Sequence, residues 1–284
     1  MLIDTHCHLD AREFDDDRAE VIARARQRGV DGIVIPAVGR MNFNTVRDLA
    51  HSFKGGTYAL GIHPICLPQA RTSDLEELES QVRRSLDDPR FVAIGEIGLD
   101  FFIPALTEPD MRAKQERFYE AQLDIAQRYG LPVILHVRRS QDIVLKYLRR
   151  RKPIGGIAHA FNGSFQQAEH FIRQRFALGF GGAMTFTRAR QIRRLAEQLP
   201  LESLVMETDA PDIPPAWLGQ ANMPAPRNEP GEVSGVADVL AELRGMTRAD
   251  IIRATAANAV RVLPRLGGAL ADSSGQAQSA SGAG

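Results

Sequence analysis

The 284-residue sequence predicts an α/β protein that folds as a single (β/α)₈ barrel. Eight short apolar runs rich in β-branched residues alternate with stretches of helical periodicity, which is typical of a parallel sheet covered by helices. The length also fits one barrel, since such domains take roughly 250 residues. An open, doubly wound sheet is the alternative. Its first turn is normally rich in glycine, whereas the first turn here is rich in histidine.

The predicted strands are short apolar runs, as expected for strands buried on both faces. They cover residues 2–5, 32–35, 57–61, 91–95, 133–135, 155–158, 176–179 and 204–206. The predicted helices between them cover residues 16–28, 44–53, 73–86, 110–129, 141–150, 165–173 and 190–198. Ser73, Ser140 and Ser164 are candidate helix N-caps, and Gly29 and Gly130 follow predicted helix ends.

The chain after the last predicted strand changes character twice. Residues 207–230 form a long irregular segment with six prolines. Helices are predicted at residues 231–244, 248–256 and 257–262. Residues 267–284 are rich in Gly, Ala, Ser and Gln, so we expect a barrel domain over residues 1–266 and a disordered tail over residues 267–284.

The charge balance excludes some classes of binding protein. Lys and Arg number 35, as do Asp and Glu, which gives a net charge of zero. A protein whose whole surface holds nucleic acid or anionic lipid normally carries a basic excess. Two cysteines allow no disulfide framework, and no apolar stretch is long enough to span a membrane. The first apolar run stops at Asp4, which argues against a signal peptide, so we expect a cytoplasmic protein.

Polar residues follow the predicted strands, and in this kind of barrel the C-terminal strand ends carry the chemistry. Five of the seven histidines stand at such ends, while His51 and His170 fall in helices. His6 and His8 are two residues apart in an extended segment, so their side chains point to the same side and Cys7 points away. The polar residues that the fold brings to one mouth include His6, His8, Glu96, His136, His159 and Asp209.

These six residues predict a metal centre. Each alone is also compatible with a buried histidine or carboxylate that hydrogen bonds satisfy, but six in one mouth are hard to satisfy without a cation. Six ligands suit two ions that share a carboxylate. We assign Glu96 as the bridge, His6, His8 and Asp209 to one site, and His136 and His159 to the other. Imidazole and carboxylate ligands together admit Mg²⁺, Mn²⁺ or Zn²⁺.

The predicted chemistry is hydrolysis by a metal-activated water. Asp209 is the expected proton acceptor, and Glu96 is the second catalytic carboxylate through its bridging position. The attacked atom is an electrophilic phosphorus or a carbonyl carbon, because either develops negative charge that a second metal ion can stabilise.

The motifs at the strand ends resemble those of the TatD family of metal-dependent hydrolases, within the amidohydrolase-like barrels. They are Asp4-Thr5-His6-Cys7-His8, Gly61-Ile62-His63-Pro64, Gly95-Glu96-Ile97-Gly98-Leu99-Asp100, Leu131-Pro132-Val133-Ile134-Leu135-His136 and Glu207-Thr208-Asp209-Ala210-Pro211. They occur in family order over about residues 1–265, and the chain looks most like the YjjV-like branch. The resemblance implies a (β/α)₈ fold, deoxyribonuclease activity that includes trimming of DNA 3′ ends, and metal-ligand roles for the six residues above. Asn162 departs from the small hydroxyl residue common in the family, which bears on substrate choice.

Five further residues are candidates for roles around the metals. His63 either donates a hydrogen bond to a substrate oxygen or fixes its own loop. Arg138 suits phosphate recognition, with an ion pair to a loop carboxylate as the alternative. Arg227 and Asn162 lie in loops at the mouth and are candidate substrate contacts. Asp4 is two residues before His6 and is expected to orient an imidazole ring.

Basic and aromatic residues give only local signals of nucleic-acid binding. The run Arg149-Arg150-Arg151-Lys152 ends a predicted helix, so we place it on the opposite face of the barrel as a solvated helix end. Aromatic residues make up 6% of the chain, which is too few for an extended stacking platform. The aromatic residues that follow site motifs are candidates to stack a terminal base or to anchor a loop: Phe101, Phe102, Phe161 and Trp217.

Three functions remain open from the sequence. The first is a two-metal deoxyribonuclease that acts on single-stranded DNA or DNA ends, with no membrane and no obligate protein partner. The second is a two-metal hydrolase of a small amide, ester or phosphoester. The third is a non-catalytic scaffold, against which the complete ligand set argues.

Overall fold

The computed structural model describes residues 1–219 and 226–275, and its eight strands pair in chain order as one parallel sheet. The strands are β1 (Leu2–Asp4), β2 (Val30–Pro36), β3 (Gly56–Leu60), β4 (Phe91–Asp100), β5 (Val133–Arg138), β6 (Gly156–Ala158), β7 (Phe176–Phe180) and β8 (Leu204–Met206). Hydrogen bonds join the ends of β8 and β1, from Thr5 N to Met206 O at 3.1 Å and from Asp209 N to His6 O at 2.9 Å. The predicted (β/α)₈ barrel is therefore confirmed.

Helices cover the outside of the barrel between successive strands. They are α1 (Arg18–Gln27), α2 (Phe43–Ser52), α3 (Thr72–Ser85), α4 (Pro104–Thr107), α5 (Pro109–Arg128), α6 (Gln141–Arg151), α7 (Phe165–Arg173), α8 (Arg190–Gln198), α9 (Val233–Arg244), α10 (Arg248–Val262) and α11 (Pro264–Gly275). The two helices predicted at residues 248–256 and 257–262 form one helix, α10. Strand β4 is longer than predicted and includes Glu96 and Asp100.

One of the three predicted helix caps acts as a cap through its side chain. Ser164 Oγ accepts a hydrogen bond from Gln167 N at 3.1 Å. Ser140 Oγ donates instead to Leu99 O, which ties α6 to the end of β4, and Ser73 lies inside α3. The sequence therefore predicted where these helices start to within a residue or two. It did not predict which side chain accepts the capping hydrogen bond from the backbone.

The interior of the barrel is a packed apolar cluster at its N-terminal end. Every strand contributes to it, and α10 and α11 cover it from below. The contributing residues are Ile3, Val34, Ala59, Val92, Ala93, Ile134, Ile157, Ala177, Val205, Ala256, Ala259, Val262, Leu263, Leu266 and Leu270. Because this end is filled, the polar strand ends at the opposite face form the floor of an open mouth.

The C-terminal segment differs from the expected disordered tail. Helix α11 extends to Gly275, and Leu266 and Leu270, one helical turn apart, are 0% and 5% exposed. The domain therefore does not end at residue 266. Burial against the barrel floor stabilises a helix that its Gly-, Ala- and Ser-rich composition did not predict, because tertiary packing overrides local propensity. Residues 276–284 lie outside the described residues.

We expect Leu270→Ala to lower the free energy of unfolding by about 2 kcal/mol, the low end for a buried leucine. Leu270 is buried and lies beside Gly32, where an added Cβ would come within 3.0 Å of it. Urea denaturation followed by circular dichroism measures this change. A chain that ends at residue 275 should match the full chain, and a Leu270→Ala variant as stable as the wild type would contradict a packed α11.

The basic run lies where the sequence placed it. Arg149, Arg150 and Arg151 form the last turn of α6, ahead of β6 and on the face opposite the mouth. Arg151 is paired with Glu120 at 2.7 Å and with Asp124 at 3.1 Å.

Across residues 1–219 and 226–275, none of the helices has the length and apolar character to cross a membrane.

Candidate metal centre

The structure brings all six predicted ligands together at the mouth of the barrel. His6 and His8 follow β1, Glu96 lies in β4, His136 lies in β5, and His159 and Asp209 follow β6 and β8. Glu96 and His6 are buried, while His8 and Asp209 are partly exposed. The separated strand ends thus form one cluster, because the barrel closes and its strands are parallel.

Glu96 lies at the centre of the cluster, and each of its oxygens faces a different group of imidazoles. Glu96 Oε2 lies 3.1 Å from His6 Nε2 and 3.3 Å from His8 Nε2. Glu96 Oε1 lies 2.8 Å from His159 Nε2 and 2.9 Å from His136 Nδ1. This division matches the arrangement that a carboxylate bridging two cations requires.

Asp209 completes the first group. Its Oδ1 lies 3.5 Å from His6 Nε2 and 3.8 Å from His8 Nε2. Asp209 has a φ of 58°, in the left-handed region that non-glycine residues rarely adopt. Such strain is typical of functional sites, where the surrounding structure holds the backbone in place. Here the barrel closure holds it, since Asp209 N donates to His6 O at 2.9 Å.

The spacing of the imidazole nitrogens fits bound cations. His6 Nε2 and His8 Nε2 are 3.3 Å apart, and His159 Nε2 and His136 Nδ1 are 3.5 Å apart. Within each pair at most one nitrogen can donate to the other, whereas one metal ion accepts both lone pairs. Three overlapping groups of close ligand atoms occur among the described residues: His6, His8 and Asp209; His6, Glu96 and His159; and His63, Glu96 and His136.

Electrostatics of the cluster also call for positive charge. Burial acts to raise the pKa of Glu96, but the imidazoles around it, His159 first, hold that pKa well below its usual range. Burial acts to lower the pKa of His8, but the hydrogen bond and charge of Glu96 raise it to about 9. Burial opposes the charge of His159 in the same way, yet the charges of Glu96 and Asp209 raise its pKa to about 10. A divalent cation supplies that charge in place of the ring protons.

Asp100 is a positioning residue that the sequence analysis did not select. Its Oδ2 lies 3.0 Å from His136 Nε2, on the side of the ring away from Glu96. Burial acts to raise the pKa of Asp100, but the hydrogen bonds with His136 and with backbone N–H groups lower it to about 2. An ionised carboxylate there keeps the proton on Nε2, so Nδ1 presents its lone pair to the metal side. Asp100 belongs to the same strand-end motif as Glu96, and this shared motif could have identified Asp100 as a residue of the site.

Glu207 occupies a similar position behind His159. Its carboxylate is fully buried, accepts a hydrogen bond from Ala160 N, and lies 3.8 Å from His159 Nδ1. Burial raises the pKa of Glu207 to about 8. Gly179 leaves the room for this side chain, since a Cβ there would come within 2.1 Å of Glu207 Oε2. Glu207 therefore holds the segment that carries His159.

We expect Asp100→Asn to weaken metal binding by about 10- to 100-fold, the range for partners that orient metal ligands. The amide keeps the shape but loses the charge that holds the proton on His136 Nε2. Titration of metal-free protein with Mn²⁺ or Zn²⁺ by calorimetry measures the change. Asp87→Asn, an exposed change that precedes the same strand, serves as the control. Equal affinity in Asp100→Asn and wild type would exclude the positioning role.

His63 lies in the cluster and fixes its own loop, one of the two roles left open by the sequence. Its Nδ1 accepts a hydrogen bond from Ile65 N at 3.0 Å, which fixes the loop. A neutral ring that accepts at Nδ1 carries its proton on Nε2. That atom lies 3.5 Å from Glu96 Oε1, so in this tautomer the ring directs a donor towards the carboxylate. Burial lowers the pKa of His63 to about 4, which favours this neutral form.

Asp4 does not orient an imidazole ring as expected. Its Oδ1 accepts from His6 N at 3.2 Å and from Thr208 N at 3.0 Å, and its Oδ2 accepts from Thr208 Oγ1 at 2.6 Å. Asp4 therefore holds the backbones of two strand ends, since its side chain stays within the barrel wall. Burial raises its pKa to about 7.

Arg138 and Asn162 lie at the mouth, whereas the guanidinium group of Arg227 is paired with two carboxylates. Arg138 Nη1 is 3.8 Å from Asp100 Oδ2, a loose form of the predicted alternative ion pair. Asn162 is exposed and follows His159 by three residues in the chain. Arg227 donates to both oxygens of Asp17 at 2.7 Å and to Glu229 Oε1 at 2.8 Å. The expected phosphate contact of Arg227 is not supported, because these carboxylates already hold its guanidinium group.

A barrel whose mouth gathers imidazoles and carboxylates in this way defines the class of metal-dependent hydrolases. The chain belongs to the TatD family: the family described as TatD related DNase matches residues 3–264. It is 40% identical over 244 residues to the uncharacterized metal-dependent hydrolase YjjV of Escherichia coli K12, covering 85% of this chain and 90% of that protein.

Two further similarities agree with this assignment. The crystal structure of YJJV, a TatD homolog from E. coli K12, matches with a TM-score of 0.84 and 38% identity, over 93% of this chain and 98% of that one. The deoxyribonuclease TATDN3 of Homo sapiens is 30% identical over 271 residues, which cover 93% of this chain and 95% of that protein.

Proposed function

We propose that this protein is a two-metal deoxyribonuclease that hydrolyses phosphodiester bonds at DNA ends. The observation that carries the proposal is the position of Glu96, whose two oxygens face different pairs of imidazoles at 2.8–3.3 Å. Paired divalent ions are the common solution for phosphodiester hydrolysis, because both the attacking and the leaving oxygen need stabilisation. The deoxyribonuclease name of TATDN3 agrees with this substrate class.

Six side chains would hold the ions in this proposal. His6, His8 and Asp209 would hold one ion and His136 and His159 the other, and Glu96 would contribute to both. Mg²⁺, Mn²⁺ and Zn²⁺ all suit this mixed set of donors. Bound divalent ions supply Lewis-acid charge to a phosphoryl oxygen and promote the loss of a proton from water.

The protein's own groups handle the proton and the substrate. Asp209 faces His6 and His8 through Oδ1, the oxygen that would hold the ion, and its other carboxylate oxygen accepts the proton of the attacking water. Burial raises the pKa of Asp209. His63 donates from Nε2 to a substrate oxygen. Arg138 and Asn162 contact the strand at the rim of the mouth.

The protein's compartment in this proposal is the cytoplasm. Cys7 and Cys66 are both free thiols, which is the state that a reducing compartment maintains. Cys7 is buried. Neither thiol is needed for the proposed chemistry.

A labelled-strand assay tests the proposed function. Metal-free protein is loaded in turn with Mg²⁺, Mn²⁺ or Zn²⁺ and mixed with single and double strands labelled at the 5′ or the 3′ end. We expect stepwise shortening from the 3′ end, abolished by a chelator. Hydrolysis of small esters or amides with no cleavage of any strand would overturn the nuclease assignment and leave the hydrolase class.

A further inference from the structure

An exposed aromatic ring lies against two arginines beside the candidate metal centre. Phe102, two residues after the end of β4, is 44% exposed. The guanidinium carbon of Arg138 lies 3.9 Å from the centre of this ring, and that of Arg139 lies 4.6 Å from it. We call these three side chains the Phe102 wall. A large apolar ring left in solvent beside two cations offers stacking surface and positive charge together.

The arginines of the Phe102 wall have hydrogen-bond donors to spare. Arg139 makes no ion pair with any residue of the described chain, and Arg138 has only the 3.8 Å contact with Asp100. Arg227 provides the contrast, since Asp17, Glu229 and a backbone oxygen take up its donors. Planar guanidinium groups with free donors match phosphate oxygens.

The backbone of Arg139 supports a role in binding. Its φ is 55°, in the left-handed region, although glycine would adopt this conformation without strain. Its side chain is exposed and adds no buried apolar area to the fold. Strain of this kind persists at ligand-binding sites, where the side chain is needed more than the local stability it costs.

Asp100 connects the Phe102 wall to the metal centre. Its Oδ1 accepts hydrogen bonds from Phe102 N at 2.8 Å and from Ile103 N at 3.1 Å. Its Oδ2 lies 3.0 Å from His136 Nε2. One buried carboxylate therefore fixes the distance between His136 and the backbone of Phe102. A nucleotide bound by the Phe102 wall would for this reason lie at a fixed distance from the metal centre.

We infer that the Phe102 wall binds the nucleotide next to the scissile bond of a single DNA strand. The guanidinium groups of Arg138 and Arg139 hold its phosphate, and its base stacks against the cation-aromatic surface. This inference rests on the proposed nuclease function and names its strand-binding subsite. Stacking and phosphate contacts read no base identity, so the subsite is indifferent to sequence.

The position of the wall favours a nucleic-acid strand over an acidic peptide. An acidic peptide has charge but lacks a flat base for the ring and carries no bond of the class that the metal centre is proposed to cut. The wall is also local, which agrees with the zero net charge of the chain. One strand end needs only a few positive groups near the metals.

Strand binding is measured by fluorescence anisotropy with a labelled ten-nucleotide phosphorothioate strand on Mn²⁺-loaded protein, which separates binding from cleavage. We expect Phe102→Ala to raise Kd by about tenfold, the effect of losing one base stack. Arg139→Gly should also raise Kd, and reduce the slope of log Kd against log salt by about 0.7, the value for one phosphate contact on a single strand. Because glycine relieves the left-handed backbone, Tm of Arg139→Gly should not fall.

Kinetics provide the second readout, as the ratio of kcat/KM for the natural strand to kcat/KM for bis(p-nitrophenyl) phosphate. We expect both variants to lower this ratio about tenfold. Arg150→Ala removes an equal charge on the opposite face and should leave the Kd, the salt slope and the ratio unchanged. Wild-type Kd and salt slope in both wall variants would overturn the inference. Hydrolysis of the small diester without cleavage of any strand would overturn the nuclease proposal instead.

Discussion

Glu96→Gln is expected to lower kcat for phosphodiester hydrolysis by about 10³-fold or more, the scale of losing a central electrostatic group in an active site. The amide keeps the shape of the side chain but removes its charge. It also replaces one of the two oxygens that face the imidazole groups with a donor. His8 and His159 then lose the carboxylate that raises their pKa values. We expect less than one equivalent of metal to copurify, as measured by elemental analysis.

A matched control separates this effect from a general loss of charge. Glu169 pairs with Arg173 on the exposed side of α7, so Glu169→Gln removes a carboxylate far from the mouth. Its kcat and metal content should equal those of the wild type. Circular dichroism should show an intact fold for both variants. Full activity in Glu96→Gln would show that the proposed function does not need a bridging carboxylate at this position.

Much of the fold was predictable because the same sequence pattern, a short apolar run, occurs once for each strand. Each strand is buried on both faces, so each appears as a short apolar run, and eight such runs leave few alternatives to a barrel. Strand β4 was predicted too short because its last residues include Glu96 and Asp100. Charged residues normally mark a strand's end, but these two face the mouth from within the strand.

The candidate metal ligands were predictable for a related reason. His136 and His159 are 23 residues apart, and only the strand ends that carry them indicated that they meet. Asp100 ends β4, the strand that carries Glu96, and Glu207 follows β8, as Asp209 does, but their partners depend on side-chain rotamers and on register. Whether Asp100 faces His136 or solvent is decided by hydrogen bonds to Phe102 and Ile103 that sequence does not reveal.

Two other expectations, the phosphate contact of Arg227 and the disordered C-terminal tail, were wrong because contacts between residues distant in sequence determine both structures. Arg227 stands in a loop at the mouth, but Asp17, far away in the chain, takes its guanidinium group. Helix α11 has a composition typical of flexible tails, yet the barrel floor buries Leu266 and Leu270. Asp17 lies 210 residues before Arg227, and Leu270 packs beside Gly32 near the start of the chain, so no local pattern signals either contact.

Asn228→Ala is expected to lower the free energy of unfolding by about 3 kcal/mol, since a buried amide with several hydrogen bonds is lost. Asn228 is fully buried. Its Nδ2 donates to Thr208 O at 2.9 Å, Asp212 O at 2.9 Å and Ile213 O at 3.2 Å. Its Oδ1 accepts from Glu229 N at 2.9 Å. Alanine leaves those carbonyl oxygens without their shared donor.

The loop that Asn228 holds is the one that carries Asp209 in its left-handed conformation. We therefore expect Asn228→Ala to weaken metal binding as well, by about tenfold, as other indirect supports of metal ligands do. Asn228→Asp tests the reason: it keeps the volume but places carboxylate oxygens against three carbonyl oxygens, so it should destabilise at least as much. Asn44→Ala, an exposed change on α2, is the control for both measurements. If Asn228→Asp kept wild-type stability and calorimetric metal affinity, packing of the side chain rather than its donors would hold this loop.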